Sequence, residues 1–142
     1  MKTYRLIIAL LLIVPAIACS AQSTRNEGKV PENNSDKIEA YYFHFTARCM
    51  TCRTIEAKAK ENLEALYPQH MKNGMITFQS LNLDEAPNKQ IAEKLGVSGQ
   101  TLLLVKGDQK INLTNDGFLY AVGKPDKFKE IINEKIDFLL AR

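Results

Sequence analysis

Tryptophan is missing from this sequence of 142 residues, which holds only two histidines and three cysteines. A structural zinc site takes four protein ligands, usually two CxxC elements or a mixed set of Cys and His. With a single CxxC at Cys49 and Cys52, and with His44 and His70 each standing alone, the sequence offers no such set. An excess of one charge is missing too. There are 19 Lys and Arg against 16 Asp and Glu, and Lys2 and Arg5 lie in the N-terminal segment, so the remainder is nearly balanced. Nucleic acid is therefore not an expected partner. No apolar run approaches the roughly 20 residues of a bilayer-crossing helix. There is no internal repeat and no flavin or nicotinamide motif.

What is present begins with MKTYRLIIALLLIVPAIA, a short basic start, an apolar run from Leu6 to Val14 and small residues at Ala16 and Ala18. This pattern is an export signal over residues 1–18. Cys19 follows at once, and Ala16-Ile17-Ala18-Cys19 is similar to a lipoprotein processing box, in which Cys19 becomes a lipid anchor to the membrane. Ordinary cleavage after Ala18 or Ala21 is the alternative. Residues 19–36 are polar, lack aromatics and carry Gly28 and Pro31, so they read as a flexible tether. The folded domain is expected over 37–142, a length that suits one core.

Within it, Ile38 to Phe45 is an aromatic run suited to a buried strand. Cys52, Ile55, Ala59, Leu63 and Leu66 then recur at helical steps up to Pro68, with Glu56 and Lys60 as an i, i+4 pair on the outer face. A strand is expected near Met75 to Leu83, then a short helix starting over Asp84 to Pro87 and stopping at Gly96. TLLLV, Thr101 to Val105, reads as a central strand, followed by a KGDQ turn and a strand over Ile111 to Leu113. Residues 114–122 fit either a strand extension or a helical turn. Phe128, Ile131, Ile132, Ile136, Leu139 and Leu140 mark one face of a closing helix. The order is that of a mixed α/β domain.

The chemistry lies in CMTC. Cysteines three apart in the first turn of a helix share one face, and the unpaired N–H groups there favour negative charge on the first sulfur. Cys49, at the tip, is then the nucleophile of a thiol–disulfide exchange, and Cys52, in phase with Ile55, resolves the mixed disulfide. Arg48 and Arg53 add positive charge that lowers a thiolate pKa. Two other readings stay open. The thiolates, with Met50 between them, suit a soft metal or metalloid. Alternatively the cysteines are structural or vestigial in a non-catalytic adaptor, although so local a disulfide stabilises little through chain entropy.

The combination of the aromatic strand running into Cys49-Met50-Thr51-Cys52, the stretch SLNLDEAPNKQIAEKLGVSGQTLLLVKGDQ at 80–109, and Val122-Gly123 before the last helix resembles thioredoxin-like proteins over nearly the whole domain. More narrowly, HFTARCMTCRTIE is similar to small exported bacterial members, some labelled as a nitrophenyl-compound nitroreductase subunit. The resemblance implies an α/β thioredoxin-like fold with a central mixed sheet of about four strands flanked by helices. It also implies a reversible Cys49–Cys52 disulfide as the functional centre with no other cofactor, a dithiol or disulfide protein as partner, and a monomer. The sequence departs from the family's pattern at the motif, where Arg48 replaces tryptophan and Met50-Thr51 replaces Gly-Pro. Phe43 stands where members often have a buried acid. Gln100 and Thr101 occupy the place of the cis-proline beside the dithiol, which makes both candidate groove residues.

Overall fold

A computed structural model describes residues 36–142. The expected export signal over 1–18, Cys19 and, but for its last residue, the tether over 19–36 lie outside the described residues. The first strand, β1 (Ile38–His44), is buried at every position except the half-buried Glu39. Its side chains alternate between two cores. Ile38, Ala40 and Tyr42 join one cluster, whereas Tyr41 and Phe43 join another. A strand covered on both faces needs apolar residues at successive positions, which is why this aromatic run does not alternate with polar residues.

Helix α1 (Met50–Leu66) buries Cys52, Ile55, Ala59, Asn62 and Leu63, of which Ile55, Ala59 and Leu63 join the first cluster. The expected stop at Pro68 is correct for α1, but the chain does not leave helix there. Pro68 opens a second short helix, α2 (Pro68–Lys72), at whose start its missing N–H is harmless. Together α1 and α2 form the crossover that a parallel pair requires. It leads to β2 (Ile76–Asn82), which runs parallel to β1 with Ile38 opposite Ile76 and His44 opposite Asn82. Helix α3 (Ala86–Leu95) has Pro87 in its first turn and ends at Gly96, whose φ of 75° allows its N–H to reach the carbonyls of Ala92 and Glu93.

Strand β3 (Thr101–Lys106) pairs antiparallel with β1, and β4 (Gln109–Asn112) pairs antiparallel with β3. The last strand thus begins two residues before the expected Ile111 and ends at Asn112. Leu113 continues with a single bond from its N–H to the Leu102 carbonyl. The sheet order is β2-β1-β3-β4. A mixed four-stranded sheet in this order, with helices on both faces, is the thioredoxin-like fold.

Residues 114–120 form a helix, α4 (Thr114–Tyr120), not an extension of β4. Asn112 Oδ1 accepts the Thr114 N–H at 2.9 Å, and Thr114 Oγ1 accepts the Leu102 N–H at 3.0 Å, so the chain turns sharply off the sheet edge. Buried Gly117 lets α4 lie directly on α1. A β-carbon there would sit 2.8 Å from Ile55 Cγ2. Helix α5 (Pro125–Leu140) closes the first core with Phe128, Ile131, Ile132, Ile136 and Leu139. Replacing Gly117 by Ala should lower the unfolding free energy by about 1–3 kcal/mol through overpacking, even though Ala favours helix by roughly 1 kcal/mol. Gly123→Ala meets nothing within 4 Å, and urea titration should find it within about 0.5 kcal/mol of wild type.

Candidate functional site

The site is built where β1 ends. The segment between His44 and Cys49 is tied to the end of β2: the Thr46 N–H donates to Asp84 Oδ2 at 2.8 Å, and Asn82 Nδ2 donates to Thr46 Oγ1 at 2.8 Å. The Leu83 N–H also donates to the His44 carbonyl at 2.7 Å. These bonds fix the loop that delivers Cys49 to α1. The Thr46 N–H, followed by its hydroxyl, holds the Asp84 carboxyl below its ordinary 3.8.

Cys49 is the N-cap of α1, with extended backbone, and its Sγ accepts the Cys52 N–H at 3.4 Å. Cys49 is exposed, whereas Cys52, one turn on, is 5% exposed. Both thiols are free and their sulfurs lie 2.7 Å apart. The hydrogen bond from the Cys52 thiol lowers the Cys49 pKa, and the N–H groups of Cys52 and Thr51 add to this against a desolvation penalty. A sulfur anion at a helix N-terminus is stabilised in this way because the first N–H groups have no partner within the helix. The arrangement can attack a disulfide at the surface and resolve it from below.

The arginines beside the motif are placed differently from one another. Arg48 pairs with Glu56, and both side chains are 22% exposed. Glu56 therefore takes Arg48 in place of the expected Lys60, while Lys60 lies 3.8 Å from Glu64. Arg53 is exposed on the helix, and its N–H donates to the Cys49 carbonyl at 3.2 Å. Met50 is 81% exposed at the tip, and Thr51 is half-buried. Of the two candidate groove residues, Gln100 Nε2 reaches the Tyr42 hydroxyl at 2.7 Å. Thr101 instead belongs to the sheet, buried opposite Phe43, with its hydroxyl donated to the Gly99 carbonyl at 3.0 Å. All peptide bonds among the described residues are trans.

Sequence reasoning missed Tyr42. Its hydroxyl donates to the Cys52 carbonyl at 2.7 Å from within the core. Burial, then the nearby Cys52 and Glu56, push its pKa up, so the phenol stays protonated. The available signal was a tyrosine inside a strand buried on both faces, since a buried phenol must find a hydrogen-bond partner. His44 is packed as a core histidine, with Nδ1–H donated to the Phe45 carbonyl at 2.9 Å. Among the described residues no three His, Cys, Asp or Glu side chains converge as a metal-ligand group. Cys49 and Cys52 are the pair that could hold a soft ion.

Neither a family model nor a curated protein matches the chain. Among solved structures it is similar to oxidised thioredoxin O2 from Arabidopsis thaliana, with 23% identity, 70% of this chain and 75% of that one covered, and a TM-score of 0.46. It is likewise similar to Fasciola hepatica thioredoxin, with 20% identity, 72% and 84% covered, and a TM-score of 0.44. The germline-specific thioredoxin Deadhead from Drosophila melanogaster shares 17% identity, over 70% and 81% of the two chains, with a TM-score of 0.44. The strand order and pairings carry the fold without them.

The Asp84 contact has a pH dependence. A carboxyl whose folded pKa is lowered favours the tied loop at pH values above its ordinary 3.8, and that contribution disappears as pH falls through the lowered value. In an NMR titration the Thr46 amide should therefore shift with a midpoint below 3.8. Asp84→Asn should remove that transition.

Proposed function

We propose that this protein is a thiol–disulfide oxidoreductase or electron carrier of the cell envelope. The observation that carries the proposal is an exposed Cys49 at the N-cap of α1 with its sulfur 2.7 Å from that of buried Cys52, on a thioredoxin-like fold. In the forward direction the Cys49 thiolate attacks a substrate disulfide. A Cys49–substrate disulfide forms, and one substrate thiolate leaves and takes a proton. Cys52 then loses its proton and attacks the Cys49 sulfur; the Cys49–Cys52 bond forms as the second substrate thiolate leaves and is protonated. The substrate has gained two electrons and two protons, and the protein holds a disulfide. A partner dithiol resets it, and the same steps in reverse oxidise a dithiol substrate. The disulfide is the redox group, so the reading asks for no other cofactor.

The envelope part of the proposal is supported by the N-terminal sequence. An export signal over residues 1–18, followed at once by Cys19, supports a domain held outside the cytoplasm, where dithiols and disulfides coexist, with a lipid on Cys19 as anchor. Arg48, Met50, Thr51 and Arg53 flank Cys49 and Cys52 in the chain and are the residues assigned to the face that a substrate meets.

Cys49→Ser should abolish reduction of an insulin-type disulfide. Cys52→Ser should accumulate mixed disulfides visible on non-reducing gels. Turnover retained in both variants would overturn the exchange mechanism. If elemental analysis of the reduced, anaerobically purified protein finds stoichiometric metal that Cys52→Ser loses, the pair is a soft-metal site instead. A mature mass carrying acyl chains is expected for Cys19, and a free N-terminus at Gln22 would refute the anchor.

A further inference from the structure

The deeper half of the dithiol is held by residues that the exchange chemistry does not use. Tyr42 is 1% exposed, and its hydroxyl lies 2.7 Å from the Cys52 carbonyl oxygen and 2.7 Å from Gln100 Nε2. The proton positions follow from valence. A carbonyl only accepts, so the single phenolic proton points at Cys52, and the Gln100 side chain must present its NH2 group to the phenol oxygen. The chain of donors therefore runs in one direction, from Gln100 through Tyr42 to Cys52. It joins the segment leading into β3, the central strand β1 and the first turn of α1.

We propose that Tyr42 and Gln100 form a positioning relay that fixes Cys52 at the depth from which its sulfur resolves a mixed disulfide on Cys49. This rests on the exchange reading above. The rate of an intramolecular attack depends on how often the reacting atoms are held in line, and a small displacement of the attacking group lowers it steeply. In the resolving step the Cys52 thiol gives its proton to solvent. The Cys49–Cys52 bond forms, and the electron pair of the broken bond leaves on the substrate sulfur, which is protonated. Tyr42 touches none of these atoms. It holds the backbone of Cys52 against β1, and the Gln100 amide keeps the phenolic proton aimed at the carbonyl. Gln100 thereby contributes, from the site of the absent proline, a donor that proline does not have.

The same constraint acts on the equilibrium. A turn held with its two sulfurs in reach favours the internal disulfide, so the relay makes the couple more reducing. Removing one neutral hydrogen bond from such a chain is worth about a fivefold change in rate or equilibrium constant. For a two-electron couple that is about 20 mV.

The test is stopped-flow reaction of the reduced full chain with 5,5′-dithiobis(2-nitrobenzoate), with Cys19→Ser in every protein. The first nitrothiobenzoate released reports attack by Cys49, and the second reports resolution by Cys52. Tyr42→Phe should slow the second release about fivefold, leave the first within about twofold, and raise the midpoint potential by about 20 mV. Half-buried Gln100, replaced by Met, should act in the same direction with a smaller effect, and it serves alone if Tyr42→Phe does not fold. The double variant should resolve no more slowly than Tyr42→Phe, because both changes act through one hydrogen bond. Equal slowing of both releases, unchanged resolution, or additive slowing in the double variant would overturn the relay. A wild type that gives no second release would overturn the exchange reading and the relay with it.

Discussion

Strand β1 is buried on both faces, and the placement of the dithiol depends on that constraint. One face packs Phe43 and Tyr41 with Ile91, Ala92 and Leu103, and the other packs Tyr42 with Ile55, Leu102 and Leu104. A central strand clamped in this way cannot slip by one residue without exchanging its two side-chain sets. Its C-terminal end is therefore a fixed point from which Thr46 is tied to Asp84 and Cys49 is delivered to α1. Burial also decides the chemistry of Tyr42. A phenol kept protonated in the core has a proton that must be donated, and the Cys52 carbonyl is the acceptor within reach.

The charge that the site must stabilise is met by short-range dipoles more than by the flanking cations. Hydrogen bonds to a charged acceptor are stronger than neutral ones, and Cys49 receives them from the Cys52 thiol and from N–H groups of the first turn. An exposed cation acting through solvent contributes less, because water and salt screen it. Arg48 is further committed to Glu56, so it links the loop before Cys49 to the second turn of α1 as well as adding charge. Arginines on either side of a CxxC motif thus have different physical roles, and sequence proximity alone does not separate them.

Elements whose stabilisation is local or strictly periodic were legible in the sequence. The stripe from Cys52 to Leu63, the stop at Gly96 and the buried run Thr101 to Val105 each carry their own signal. Helix α4 was one of two open readings, because Asn115, Asp116 and Gly117 are weak helix formers, and what decides for the helix is tertiary. Its lead-in is fixed by Asn112 and Leu102, and its packing on Ile55 requires the absence of a side chain at Gly117. The short helix at Pro68 was hidden for a related reason, since proline ends one helix and starts the next equally well. The exposed and buried members of the CxxC pair could be assigned from helical phase. Their tie to Tyr42 could not, because it depends on which face of β1 meets α1, and an aromatic run without alternation does not reveal that.

Positions 43 and 100 are connected through Tyr42. Phe43 points into the cluster with Leu83, Ile91 and Val105. A carboxylate buried there without a partner would cost several kcal/mol or take up a proton. The polar group that reaches Cys52 comes from the neighbouring position on the opposite face, where Tyr42 meets α1. A phenol can both accept and donate, so it needs a donor behind it to settle its orientation. Proline has no donor to offer, whereas Gln100 does, at 2.7 Å. With the polar contact made from position 42, the glutamine donor at position 100 is therefore useful. Proline at position 100 would leave the Tyr42 oxygen without the donor that aims its proton at Cys52.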